Sequence, residues 1–363
     1  MTDGTLALDH IHLGDCLEWL RALPAESVDC IVSSPPYNIG KKYETRQALS
    51  SYMEKQNAVL AECARVLKNT GSIFWQVGSY AIDGMLVPLD IKFFPVLEEL
   101  GLRPINRIVW VRQHGLHARN KFSARHETIL WFAKSKQYKF DLDDIRVPQK
   151  YQNKKSWRGS NKGELTCNPL GKNPGDVWAF QNVKHNHEEQ TIHPAQFPEA
   201  MVARMVLATT HPGDVILDPY MGTGTVAVVA QDHDRHFLGA ELSAEYHDIA
   251  LRRLKGLPDD QGVFPNLKTL RDYCERTGEP TEKYRFAVQV GAVAGGREKA
   301  KIFSEEHHLE QLEERLGIEE GAFADRLAAA KTDRSAIRRQ YVKKAPAPAA
   351  ALFDLPADPE PEG

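Results

Sequence analysis

Val215-Ile-Leu-Asp218-Pro219-Tyr220-Met221-Gly222-Thr223-Gly224-Thr225-Val226-Ala227 reads as an apolar strand that runs into a Gly-x-Gly loop and then into a helix of small residues, Val226 to Ala230. The next strand, Phe237 to Ala240, ends on Glu241, 19 positions beyond Gly222. Glycines at such a loop let a ligand approach the backbone, and an acid that far downstream accepts the hydroxyls of a ribose. Ser243 as N-cap and Gly256 as stop bound one more helix, Ser243 to Leu254. A glycine turn beside a surface glutamate would carry the same letters, so the surrounding order of elements has to support the ligand reading.

The loop does not suit a diphosphate. Ala227 stands where a third glycine would open the helix terminus, and Asp218 just before the loop repels phosphate. A ribose-bearing cofactor with an ammonium or sulfonium group, such as S-adenosylmethionine, meets a carboxylate there instead.

Closer to the N-terminus lies a second informative stretch, Asp29-Cys-Ile-Val-Ser-Ser34-Pro35-Pro36-Tyr37-Asn38. A buried strand reaches two serines, two prolines fix the backbone and withhold amide donors, and an aromatic ring stands at the open end. A planar ring bearing an amine can stack on Tyr37 and direct its N–H groups at the Ser34 hydroxyl and at carbonyls that proline leaves unpaired. A strand ending in a tight Pro-Pro turn is the plainer alternative. Upstream, Ile11-His-Leu-Gly14-Asp15 predicts a strand and turn before a helix, Cys16 to Leu23, with Asp15 equally suited to a ligand or to the helix N-cap. Helical spacing over Ser51 to Lys68, with Gly71 as a left-handed cap, leads to a strand at Ser72 to Val77. Leu97 to Trp110 repeats the parallel α/β pattern, Glu127 to Phe132 adds a strand, and Pro198 opens a helix that runs to Thr209.

A chain of 363 residues, 42% hydrophobic and 26% charged, accommodates one large α/β domain or a domain with an appendage. No run approaches the length of about 20 apolar residues that spans a bilayer, and Met1 to His10 lacks the features of a signal peptide, so a cytoplasmic location is expected. Five scattered cysteines without a C-x-x-C pair read as reduced thiols, and His185 and His187 lack further ligands, so no metal is expected. The net charge of −3 conceals 16 Lys/Arg against 5 Asp/Glu between Arg103 and Lys172. From Lys134 to His193 the apolar period dissolves, and basic, amide and aromatic residues interleave. Lys154, Lys155, Trp157 and Arg158, with Arg119, Lys121 and the loop lysines Lys41 and Lys42, suit a nucleic acid through phosphate pairing and base stacking. A disordered solvated loop is the alternative. Past Pro258, helices are expected at Asn266 to Arg276, Ser304 to Leu316 and Ala322 to Ala330, before a disordered tail from Ala345.

In their joint order Gly14-Asp15, Asp29 with Ser34-Pro35-Pro36-Tyr37-Asn38, Arg125-His126-Glu127, His193-Pro194-Ala-Gln196-Phe197-Pro198-Glu199 and Asp218-Pro-Tyr-Met-Gly222-Thr-Gly224 resemble the circularly permuted amino-methylating DNA methyltransferases, over roughly residues 8 to 256. The resemblance implies an α/β, Rossmann-like S-adenosylmethionine-dependent fold with permuted motif order and a helical C-terminal appendage. It implies a catalytic domain at 1–258 with target recognition at 134–192, a helical region at 259–344 and a tail at 345–363. It assigns the cofactor to Asp15, Asp218, Gly222, Thr223, Gly224, Thr225, Glu241 and Phe197, and the reaction to Ser34, Pro35, Pro36 and Tyr37. The implied partners are double-stranded DNA, with a flipped target base, and a second copy of the chain. Serine at position 34 is the usual form among cytosine-N4 enzymes, with adenine N6 as the alternative. A nucleic-acid-binding protein with an inactive cofactor fold is a further reading. A nicotinamide-dependent dehydrogenase is disfavoured by Asp218, Ala227 and the lack of a catalytic Cys or His pair.

Overall fold

The structure, a computed structural model, describes residues 6–40, 44–112, 117–151, 154–184, 187–290 and 299–303. Its elements in chain order are β1 (His10–Leu13), α1 (Cys16–Ala22), β2 (Val28–Ser33), α2 (Leu49–Val66), β3 (Leu67–Val77), β4 (Ser79–Ile82), β5 (Met85–Pro88), α3 (Leu89–Glu99), β6 (Arg103–Val111), β7 (His126–Ala133) and β8 (Val177–Trp178). There follow α4 (Glu199–Thr209), β9 (Val215–Asp218), α5 (Thr225–Asp232), β10 (His236–Glu241), α6 (Ala244–Lys255), β11 (Val263–Phe264), α7 (Leu267–Thr277), β12 (Arg285–Val290) and β13 (Lys299–Phe303). The chain divides into two units, Met1–Ile145 with Pro174–His308, and Arg146–Asn173 with Leu309–Gly363.

In the first unit an eight-stranded sheet runs in the order β1-β10-β9-β2-β3-β7-β6-β8. All six residues of β2 are buried, as expected for a central strand covered on both faces. Alternation along it feeds two cores. Ile31 packs with Leu20, Leu60 and Phe93 of α1, α2 and α3, whereas Cys30 and Val32 face Met201, Val226 and Ala250 of α4, α5 and α6. From β9 the chain winds outward to β10, and from β2 it winds the other way to β3. The two winding directions part between β9 and β2, and a crevice opens beyond their carboxyl ends.

Three local expectations are corrected. The strand at Glu127 to Phe132 is not parallel: β7 inserts antiparallel between β3 and β6, so the sheet is mixed. Gly71 is not a helix cap. Helix α2 ends at Leu67 in extended backbone, and Gly71 lies in β3 at a register shift against β2, where a Cβ would come within 2.8 Å of the Asp29 carbonyl. Nor is the region after Pro258 purely helical: α7 packs Leu267, Leu270 and Cys274 against Phe264 and Phe286 of the small sheet β11-β12-β13. The alternating Arg-Phe-Ala-Val-Gln-Val of β12 carried that signal. The helices expected at Ser304 to Leu316 and Ala322 to Ala330, and the tail, lie outside the described residues. Among the described residues no helix is long and apolar enough to cross a membrane, and no group of three His, Cys, Asp or Glu residues could hold a metal ion.

The described part of the second unit is a looped segment. Val147 and Lys172 exchange backbone hydrogen bonds of 3.0 and 2.9 Å, and Lys155 bridges to Leu165. Gly171, at φ 113°, passes so close to the Val147 carbonyl that a Cβ would sit 2.5 Å from its oxygen.

One charge ties the first unit together. Asp29, buried in β2, accepts from Lys68 (2.7 Å), Lys139 (3.1 Å) and the Val215 amide (3.0 Å). Burial pushes its carboxyl upward, but these donors outweigh burial and hold it below the ordinary value. Asp29→Ala should cost on the order of 2–3 kcal/mol, the low end for a broken buried pair because both lysines reach solvent. Because the native pKa is depressed, this stabilisation is present above the unfolded value of 3.8 and is lost as pH falls below it. Denaturant titrations of both proteins should therefore differ at neutral pH and converge in acid.

Candidate active site

The Ser34-Pro-Pro-Tyr37 strap leaves the end of β2 and is fixed on every side. Ser33 Oγ donates to Asp218 Oδ1 at 2.5 Å, which joins the ends of β2 and β9. Tyr52 donates its hydroxyl to the Pro36 carbonyl at 2.7 Å. Among the described residues the Pro35 carbonyl and the half-buried Ser34 hydroxyl therefore remain as the strap's acceptors, while the Pro36 carbonyl is occupied. Asn38 turns the chain at φ 61°, a conformation asparagine tolerates, and its side chain pairs with the Gln47 backbone at 2.7 and 2.9 Å. The amides of Asn38 and Ile39 donate to Glu44 at 2.7 and 2.8 Å.

Tyr37 is held by its phenol end. Its hydroxyl donates to Gln76 Oε1 at 2.8 Å and lies 3.3 Å from both Glu127 Oε2 and Ser34 Oγ. Gln76 donates its own amide to Glu127, and Arg112 pairs with the same carboxylate at 3.0 Å. A Cβ on Gly78 would come within 2.9 Å of the Tyr37 ring, so glycine there makes room for it. Gln76, Glu127 and Arg112 were not assigned to the site from sequence. Their roles depend on β7 lying beside β3, which no local pattern reveals.

The neighbouring strand ends supply the rest of the crevice. Gly222, at φ 56°, donates its amide to Glu241 Oε2 at 2.8 Å, and Ser243 donates to Oε1 at 2.8 Å. Each carboxylate oxygen keeps a lone pair for a further donor. Asp15 caps α1 through the amides of Leu17 (2.9 Å) and Glu18 (3.1 Å), so it serves as the N-cap, and it also lines the crevice. Asp218, Gly222, Thr223, Thr225, Glu241 and Phe197 line it too, together with the whole Ser34–Tyr37 strap. Gly224 does not. It caps α5 at φ 82°, and a Cβ would meet Ala250 of α6 at 2.8 Å, so this glycine serves helix packing. His193, Gln196 and Tyr246, unassigned from sequence, complete the wall, with the rings of His193 and Tyr246 edge to face at 4.6 Å.

Behind the glycine loop lies a buried ionic chain that sequence reading missed. Arg253 donates to the Thr223 carbonyl at 2.6 Å and pairs with Glu199 at 2.7 Å; Lys268 of α7 meets Glu199 at 3.2 Å. Burial alone would raise Glu199, but Arg253 and Lys268 hold it below its ordinary value. Glu189, buried beside Glu199, is pushed up to about 8 by desolvation and by that neighbouring charge.

Among the described residues three acids and no lysine or arginine line the crevice. That donor set fits hydroxyls and a cationic centre and excludes a phosphate-bearing ligand, so S-adenosylmethionine fits where a dinucleotide does not. Of the residues expected to touch DNA, Lys41 and Lys42 lie outside the described residues. Arg119 and Lys121 are exposed on the loop after β6. Lys154, Lys155, Trp157 and Arg158 belong to the second unit, where Trp157 is 82% exposed and shares a groove with Tyr151 and the two lysines.

A mixed sheet with acids and a proline strap at its carboxyl edge fits an S-adenosylmethionine-dependent methyltransferase. Residues 28–252 match the family model described as DNA methylase. The type II methyltransferase M.BglII of Bacillus subtilis is 55% identical over 315 residues, which cover 86% of this chain and 87% of that protein. The DNA adenine methyltransferase YhdJ of Escherichia coli K12 is 34% identical over 256 residues, 69% of this chain and 84% of that protein. Among solved structures, the PvuII DNA methyltransferase, cytosine-N4-specific, shares the fold at a TM-score of 0.56 and 19% identity, covering 75% of this chain and 93% of that one. The chain belongs to the family of DNA amino-methyltransferases.

Two expected outcomes follow from the charges around the cofactor crevice. Burial pushes Asp218 up to about 7 against the bonds from Ser33 and Tyr220. Cofactor affinity, measured by calorimetric titration, should therefore be tighter one unit above about 7 than one unit below it, as the carboxylate forms, and Asp218→Asn should flatten the difference. Arg253→Lys keeps the charge but loses the fork that holds both the Thr223 carbonyl and Glu199. It should weaken cofactor binding roughly tenfold while leaving the fold intact by circular dichroism.

Proposed function

We propose that the protein methylates the exocyclic N4 amine of a cytosine flipped out of double-stranded DNA. The reading is carried by the clamp at the strap: the Ser34 hydroxyl and the Pro35 carbonyl remain as acceptors beside a Tyr37 ring anchored by Gln76 and Glu127. Flipping costs a few kcal/mol, and stacking on Tyr37 offsets about 1–3 kcal/mol of it. Anchoring the phenol fixes the ring plane before the base arrives, so little order remains to be imposed on binding.

With the base stacked, its amine donates to Ser34 Oγ and to the Pro35 carbonyl. Both N–H bonds are then held, and the nitrogen lone pair turns out of conjugation with the ring. S-adenosylmethionine, when bound, supplies an electrophilic methyl group on a sulfonium. Asp15, Asp218 and Glu241 suit its cationic and hydroxyl groups, and the loop glycine Gly222 leaves room at the backbone. Ser34 is far too weak a base to remove a proton first. The proton leaves after transfer, when the nitrogen has become a cation, and catalysis rests on positioning. Basic residues in the second unit and on the loop after β6 suit the phosphates of the duplex.

A second reading, methylation of adenine N6, is favoured by the 34% identity to a protein named as a DNA adenine methyltransferase. Both bases present an amine to the same clamp. Serine at position 34 is what inclines the proposal to cytosine. The type II methyltransferase relative supports a place in a restriction-modification system.

Nucleoside mass spectrometry on sequence-diverse duplex treated with protein and cofactor tests the reading. N4-methylcytosine is the expected product; N6-methyladenine alone would replace it with the second reading, and no methylated base would end both. Ser34→Ala should lower kcat by about 10²-fold, the scale of a lost reaction-centre hydrogen bond, with cofactor affinity retained.

A further inference from the structure

We propose that Phe122 is a wedge that enters the DNA stack as the target base leaves it. The inference rests on the base-flipping reading above and extends it from the extruded base to the space left behind.

The loop that carries Phe122 springs from the catalytic edge. Strand β6 runs in the same direction as β2 and β3, because β7 between β3 and β6 is antiparallel to both. The β6–β7 loop therefore emerges from the end of the sheet that bears the Ser34–Tyr37 strap. Its base is closed where Val111 faces His126 and the Arg112 amide donates to the Arg125 carbonyl at 2.7 Å. One residue further in, Glu127 meets Arg112 at 3.0 Å and lies 3.3 Å from the Tyr37 hydroxyl. The root of the loop and the stacking ring thus share one hydrogen-bonded anchor.

The tip is held as a turn, with the Ala118 amide donating to Ser123 Oγ at 3.0 Å. Arg119, Asn120, Lys121 and Phe122 project from it, all exposed. Phe122 stands wholly in solvent at 101% exposure, more than Trp157 at 82%. A phenyl ring in such a position is open to a partner, and covering it would remove apolar area from water. The flanking Arg119 and Lys121 narrow the partner to a polyanion with an apolar interior, which describes a stacked duplex sheathed in phosphate. A flipped base leaves its neighbours unstacked, and an apolar ring inserted between base steps restores part of the lost stacking. Tyr37 holds the base outside the helix, and Phe122 occupies the hole.

The test compares wild type, Phe122→Ala and Phe122→Trp on a duplex the wild type methylates, and on the same duplex mismatched at the target base, which unpairs at lower cost. The wedge predicts that Phe122→Ala lowers kcat/KM on the matched duplex by about tenfold or more. On the mismatched duplex the variant should stay within about threefold of wild type, and Phe122→Trp should remain active on both. S-adenosylmethionine affinity should be equal in all three proteins, which separates the effect from misfolding. Equal losses on matched and mismatched DNA, or no loss, would overturn the wedge while leaving the methylation reading intact. A wild type that modifies no duplex would overturn that reading itself.

Discussion

Ser33 and Asp218 lie 185 positions apart in the chain and meet at 2.5 Å across the ends of β2 and β9. The Ser34–Tyr37 strap leaves the sheet one residue after Ser33, and the glycine loop leaves it directly after Asp218. The proposed clamp for the amine and the proposed cradle for the methyl donor are therefore fixed relative to each other by adjacent buried strands. For a reaction that rests on bringing a nitrogen and a methyl group into line, that rigidity is the main contribution the fold can make.

The same logic extends outward. The strap's spare groups are tied down, Pro36 by Tyr52 and Asn38 by Gln47, which fits the proposed role of the Ser34 hydroxyl and the Pro35 carbonyl. Tyr37 is anchored by Gln76 and Glu127 from the far side, and the glycine loop is anchored from behind by Arg253. Arg253 reaches Glu199 and, through it, Lys268 of α7, so the segment after the eight-stranded sheet contributes to the support of the glycine loop. Asp218 combines two demands. Burial raises its pKa towards neutrality, while the chemistry favours its carboxylate. A cationic ligand in the crevice relieves that tension by pairing with it.

Some features were legible in the chain because they are local. A strand, a Gly-x-Gly loop and a downstream acid announce their geometry within about 30 residues, the span of one βαβ unit, and Gly256 and Ser243 bound their helix as expected. Other features carry the right residue for a reason sequence could not supply. Gly71 and Gly224 both looked like punctuation or ligand contacts. Gly71 answers to the Asp29 carbonyl and Gly224 to Ala250, and both partners are remote in sequence. Asp15 was equally suited to cap or ligand, and its bonds to Leu17 and Glu18 made it the cap without removing it from the crevice.

By itself the sequence determined the α/β class and the residue types at the strand ends, because propensity, turn chemistry and spacing are local properties, while the permuted order of its motifs rested on the family resemblance. Tertiary structure alone decided that β7 runs antiparallel beside β3 and so delivers Glu127 to Tyr37. It also decided that Tyr52 occupies the Pro36 carbonyl and that a buried Arg253 stands behind Thr223. Each of these is a hydrogen bond between groups brought together only when the sheet closes, and the energetic demand that buried polar groups be paired selects the partner from whatever the fold places within reach.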